Sequence, residues 1–250
     1  MNIPRLLLLA VLLTSLMAVV CQADVTTKVH QNWGVSSAAS FELADMNGSI
    51  EVSGWDKPEI DVTATIKARS QEMLDAVHVR MAKDGDAVHV TSEYNPKIHN
   101  SNATVNYKIS LPKRLASVKL RMTNGSIDSR SVGGDLSFIS TNGRIRASDL
   151  FGRALARTTN GSIDADIQSG GFNQPMQFDS TNGAIVVRLD PATNATLDAS
   201  TQNGSIQTDF GLATSHKFGF SENQAKGAIG SGGPELRAHA QNGSIQIRKK

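Results

Sequence analysis

Cysteine is almost missing. The chain of 250 residues has one, Cys21, so disulfides, cysteine metal sites and a thiol nucleophile have little to build on. Aromatics make up only 5%, with two Trp and two Tyr, which leaves few stacking platforms for sugar rings or bases. An excess of either charge is lacking too: 25 Lys and Arg face 23 Asp and Glu. Such a surface has no strong pull toward nucleic acid or an acidic membrane, and nucleic acid is not an expected partner. The six histidines include no His-x-His or His-Glu-x-x-His pairing, and no metal or other cofactor is expected. No Gly-x-Ser-x-Gly elbow occurs either, so no catalytic residue is named.

Long apolar runs are confined to one place. Arg5 precedes an apolar stretch from Leu6 to Val20, and small residues follow at Cys21 and Ala23. That layout reads as a secretory signal peptide over residues 1–23, cleaved after Ala23. The run is shorter than the ~20 residues of a spanning helix, so no transmembrane segment is expected after cleavage. A lipid anchor at Cys21 is the poorer match, because Ala18 and Val20 stand where Leu and a small residue belong. Residues 24–250 then form one exported domain, irregular over 24–115 and regular over 116–250, in the periplasm or on the surface of a bacterium.

What is present is a repeat. Asn-Gly recurs at Asn47-Gly48, Asn124-Gly125, Asn142-Gly143, Asn160-Gly161, Asn182-Gly183, Asn203-Gly204 and Asn242-Gly243. The steps are 77, 18, 18, 22, 21 and 39 residues. An isoleucine follows each Asn three residues later: Ile50, Ile127, Ile145, Ile163, Ile185, Ile206 and Ile245. Positions six and four before the Asn are apolar too, as in Phe41 and Leu43, and the positions between are mostly polar. Period-two alternation on both sides of a turn gives two short strands per copy with one buried face. The long first step has room for about four disguised turns, and the last for a degenerate copy at Lys226-Gly227.

Two architectures use such a turn. One is an antiparallel meander or barrel of Asn-Gly hairpins. The other is an all-β, right-handed parallel β-helix, a solenoid with coils of ~18–22 residues. The second explains the repeats better, because stacking lets an Asn column bond along itself and an Ile column fill one core stripe. On this reading Asn and Gly are chosen for a left-handed corner, and Ile163→Ala is expected to cost more than Gly161→Ala.

Elsewhere, Ile60 to Ile66 alternates as a strand, Ser70 caps a short helical turn, and Asp84-Gly85 closes a hairpin. "NGSIEVSGWDKPEIDVTATIKA" from Asn47, "YKISLPKRLASVKLRMTNGSI" from Tyr107 and the later Asn-Gly-x-Ile copies together resemble a family of bacterial envelope β-helix proteins classed as candidate adhesins. The resemblance implies export and a repetitive β-solenoid, and it supplies no catalytic residues.

Function is therefore expected to be non-catalytic: an adhesin-like or scaffold module of the envelope, with an envelope protein or surface glycan as partner. A sensing or regulatory envelope partner is equally compatible with this pattern. A carbohydrate-active enzyme of the parallel β-helix type is the alternative, motivated by Asp164, Asp166, Asp128 and Arg146, which could face a calcium ion or a uronate. Asp128, Arg146 and Asp164 also read as an alternating charge ladder on a solvated face.

Overall fold

The computed structural model describes residues 24–95, 103–216 and 223–250. The proposed signal segment with Cys21, and most of residues 93–104, whose sequence reads as an exposed loop, lie outside the described residues. The fold is all-β. The first strands are β1 (Val25–Gly34), β2 (Ser40–Trp55), β3 (Glu59–Ala68), β4 (Val77–Asp84), β5 (Ala87–Tyr94), β6 (Thr104–Pro112) and β7 (Arg114–Arg130). The helix α1 (Gln71–Asp75) lies between β3 and β4, with the Ser70 hydroxyl accepting from the Met73 N–H at 3.3 Å. β4 and β5 pair antiparallel across a turn at Gly85, whose φ is 55°.

The rest of the chain continues as β8 (Gly133–Asn142), β9 (Ile145–Asn160), β10 (Ile163–Ile167), β11 (Met176–Asn182), β12 (Ile185–Leu189), β13 (Ala195–Asn203) and β14 (Ile206–Thr208). It ends with β15 (Thr214–His216), β16 (Asn223–Ile229), β17 (Glu235–Asn242) and β18 (Ile245–Lys249). All belong to one hydrogen-bonded sheet system.

Each Asn-Gly copy contributes one rung, and neighbouring rungs pair parallel and in register. Asn47 lies opposite Asn124, and Asn124 opposite Asn142. Asn160 lies between Asn142 and Asn182. The isoleucines follow the same register: Ile50, Ile127, Ile145, Ile163 and Ile185 are successive partners. The two arms beside an Asn-Gly pair with adjacent rungs and not with each other, so these motifs do not close hairpins.

Sequence order and stacking order part company at both ends. Asn182 is followed in space by Asn242, and Asn203 lies outermost, beyond Asn242. Ile245 likewise sits between Ile185 and Ile206. The Lys226-Gly227 copy forms no rung. It belongs to β16, which returns antiparallel along β13 and is itself paired with β15. An antiparallel return occupies the outer edge of β13, so the final copy pairs on that rung's inner side.

The expected four turns between Asn47 and Asn124 are also absent, since β2 and β7 are direct neighbours. The intervening chain forms one degenerate rung on the far side of β2. There β5 places Val88 and Val90 against Phe41 and Leu43, while β6 places Tyr107 and Ile109 against Ile50 and Val52. β3 then covers β6 antiparallel, β1 covers β3, and β4 covers β5. Antiparallel strands therefore cover both arms of the degenerate rung at one end and the β13 arm of the outer rung at the other. β18 with its basic end lies inside the stack, between β12 and β14.

The core runs along the stack. All seven motif isoleucines are buried, the most accessible being Ile206 at 7%. Four residues before each Asn, Phe138 and Phe178 flank the rung that carries Ala156, so large and small side chains alternate. Burial of each isoleucine is worth roughly 1.5–3 kcal/mol.

Candidate functional site

The most regular feature is the corner itself. Asn124 Nδ2 donates to Asn47 Oδ1, Asn142 to Asn124, Asn160 to Asn142, and Asn182 to Asn160, each at 2.8 Å. The row continues through Asn242 to Asn203 at the same 2.8 Å. None of these asparagines has a positive φ.

The glycines answer to contact more than to backbone angle. Gly48, Gly125 and Gly183 have φ of 146°, 147° and 155°, while the other four motif glycines lie outside the left-handed region. A Cβ on any of the seven would meet a backbone carbonyl oxygen of the adjacent rung at 1.8–2.1 Å. The left-handed corner expected from the sequence is kept by those three glycines and by no Asn; what all seven copies share is a different requirement, Asn for the ladder and Gly for clearance between rungs.

A second ladder lies beneath the first. Two residues before the Asn, Ser140 Oγ donates to the Gly125 carbonyl at 3.2 Å and Thr158 Oγ1 to that of Gly143 at 3.0 Å. Ser180 reaches Gly161 at 3.0 Å, and Thr201 reaches Gly243 at 2.8 Å. All four side chains are buried, and a buried hydroxyl left without a partner is costly. The signal was present in the sequence as a hydroxyl in four of the seven copies, in a column that also holds Asp45, Met122 and Ala240.

The charged row also falls in register. Glu51, Asp128, Arg146 and Asp164 are successive neighbours, with Lys108 beyond Glu51. Asp164 pairs with Arg188, and Asp166 with Lys250 at 2.5 Å. These are partly exposed ion pairs of the kind worth ~0–1 kcal/mol. His78 and His89 do not face each other: His78 lies opposite Glu93, and His89 opposite Ala82. Among the described residues no group of three or more His, Cys, Asp or Glu could hold a metal ion.

Out-of-order stacking sets the order within one row, three residues before the motif Asn. Ser200, His239 and Asp179 occupy equivalent positions on three adjacent rungs. Ser200 Oγ lies 2.9 Å from His239 Nδ1. Asp179 instead accepts from Arg157 at 2.9 Å and Gln177 at 2.8 Å. Among the described residues no hydrogen bond joins His239 to Asp179, so the row lacks the base-orienting contact that a nucleophilic triad requires.

A buried polar cluster lies under the first corner. Asp45 is 5% exposed and accepts from Ser92 Oγ and, at 3.0 Å, from Tyr94 OH. Burial raises its pKa above the usual carboxylate range, and the hydrogen bonds oppose that shift only in part. Burial, then the nearby Asp45 charge, also raises the Tyr94 and Tyr107 hydroxyls. A buried acid of this kind was not distinguishable in the sequence, where Asp45 stands in a mostly small or apolar column.

The sequence profile of the Toastrack DUF4097 family matches residues 98–248. No curated protein matches the chain. Among solved structures, a candidate cell-adhesion protein from Clostridium sporogenes is similar at 14% identity and a TM-score of 0.56, covering 90% of this chain and 100% of that one. A candidate adhesin from Bacteroides fragilis shares 12% identity over 90% of this chain and 97% of that one, with a TM-score of 0.44. The first likeness supports a common fold. Among the described residues no helix is long and apolar enough to cross a membrane.

Proposed function

The chain belongs to the Toastrack DUF4097 family, and from that footing we propose that it is a non-catalytic module of the bacterial envelope, adhesin-like or scaffolding. It works through the side faces of a right-handed parallel β-solenoid. Residues 1–23 direct export, and residues 24–250 act as one unit in the periplasm or on the cell surface. The observation that carries this reading is the register: seven rungs repeat one corner and one core row, while the polar side chains pair along the stack and do not converge on a reactive point. Such a face recognises a partner by shape and many weak polar contacts. The adhesion names borne by similar structures agree with that use. The partner is an envelope protein or a surface glycan.

The test is capture of partners from the organism's own envelope fraction by the exported protein, read by mass spectrometry, beside a glycan-binding screen. One stoichiometric protein or one glycan class supports the proposal. Turnover of a uronate polymer that vanishes in Asp164→Asn would replace it with an enzymatic function.

A further inference from the structure

The asparagine ladder has a direction. In every inter-rung bond the amide nitrogen donates toward the Asn47 end. Seven side-chain amides therefore align head to tail, much as peptide units do in a helix, and the positive end of the row is at Asn47. Its Oδ1 accepts from Asn124, and its own Nδ2 bonds no other described residue. The row stops because the next rung has no Asn-Gly. Val105 lies opposite Gly48, and Lys67 of the capping strand lies opposite Thr104.

A recess of about 690 Å³ opens at this end, lined among others by Asn47, Thr104, Asn106, Lys67, Arg69 and Asp24. Asn106 Oδ1 is occupied by Ser49 Oγ at 2.8 Å, which leaves its amide N–H groups as donors. Lys67 pairs with Asp24 at 2.8 Å. Arg69 has no carboxylate within ion-pair distance among the described residues. The positive end of the ladder thus meets two cations and one anion, an arrangement that repels itself until a further negative charge arrives.

We propose that this recess binds a compact oxyanion of the phosphate or sulfate class, either free or as the terminal group of a larger molecule. Asn47 and Asn106 supply amide donors. Arg69 supplies a planar pair of donors suited to two oxyanion oxygens, and Lys67 adds charge from the cap. The opposite end, at Asn203, presents an amide oxygen and has no such affinity. The inference does not depend on the adhesin-like reading, since an oxyanion site can fail while a side face still binds a partner.

The experiment follows side-chain amide and arginine signals by ¹H–¹⁵N NMR as inorganic phosphate is added at constant ionic strength, with chloride as the control. The expected result is a saturable shift of Asn47, Asn106 and Arg69 with Asn203 unmoved. Binding weakens about tenfold or more in Arg69→Gln, as the loss of a charge-assisted hydrogen bond requires, and by less in Arg69→Lys, which keeps the charge and loses the planar pair of donors. Unchanged thermal midpoints show that both variants fold. A second arm uses vesicles containing phosphatidylglycerol. Vesicle binding that free phosphate displaces identifies a lipid headgroup as the source, and phosphate binding alone identifies a soluble or polymer-borne group. No saturable shift, equal shifts at Asn47 and Asn203, an unaffected Arg69→Gln, or vesicle binding that phosphate does not displace would overturn the proposal.

Discussion

Alanine at Gly161 tests how closely the rungs are stacked. Its Cβ would sit 2.0 Å from the Gly143 carbonyl oxygen and 2.5 Å from the carbonyl carbon, with Thr158 Oγ1 at 3.1 Å. Both carbonyl atoms are backbone, so relief requires the two rungs to separate. Separation strains the Asn160–Asn142 side-chain bond at 2.8 Å and the Gly143 N–H to Asn160 carbonyl bond at 2.9 Å. Overpacking costs ~1–3 kcal/mol, and each weakened hydrogen bond about 1 kcal/mol more. The expected loss is on the order of 3–5 kcal/mol, against about 2–5 kcal/mol for Ile163→Ala. The glycine substitution should therefore cost about as much as the isoleucine truncation, where the sequence alone ranks it lower. Gly85→Ala is the control: its φ is +55° and nothing lies within 4 Å of the added Cβ, so it reports the conformational cost alone, ~1–2 kcal/mol. Urea unfolding of the three variants decides the matter. If Gly161→Ala costs no more than Gly85→Ala, the clearance argument fails.

Three further outcomes follow from the same packing. Asn160 makes two ladder bonds and Asn203 one, so Asn160→Ala should cost about twice as much as Asn203→Ala, at ~1 kcal/mol per bond, in thermal or urea unfolding. Asp45 has a raised pKa, so the folded state holds its proton more tightly than the unfolded chain does. Its contribution to stability is full below the usual carboxylate range and falls as pH rises through the raised value. The difference in unfolding free energy between wild type and Asp45→Asn should shift against the wild type from pH 4 to 7, and a pH-independent difference would contradict the burial argument. Asp164→Asn removes a partly exposed partner of Arg188 and should change stability by less than ~1 kcal/mol, measured in urea.

The rows could be read from the sequence because stacking repeats chemistry at fixed spacing. Ile163 and Ile185 occupy the same place in their copies, and register follows from burying one face. Stacking order could not be read, because every copy presents the same columns to its neighbours. What distinguishes the Asn203 copy is its antiparallel return through Ala225 and Ala228, a pairing outside the motif. The degenerate rung was hidden for a related reason: Val88 and Tyr107 stand 19 residues apart, whereas their partners Phe41 and Ile50 stand 9 apart. Asn-Gly is a turn signal in its commonest local use, and only the carbonyl above each glycine shows that space selects it at all seven corners. That Ser200, His239 and Asp179 share a row follows from their common place three residues before Asn203, Asn242 and Asn182; that His239 lies between the other two depends on stacking order and could not be read.

Oxidative cross-linking of cysteine pairs on successive rungs, in a Cys21→Ala background, tests both register and order. Gln177 lies opposite Arg237, and Arg237 opposite Asp198. Neighbouring rungs place Cα atoms about 4.8 Å apart, within disulfide reach, while rungs two apart lie about 9.6 Å away, beyond it. Cysteines at 177 and 237 should lock rapidly, as should those at 198 and 237, and cysteines at 177 and 198 should remain reduced. A rapid bond between 177 and 198, with none between 177 and 237, would mean that the repeats stack in chain order and would contradict the architecture described.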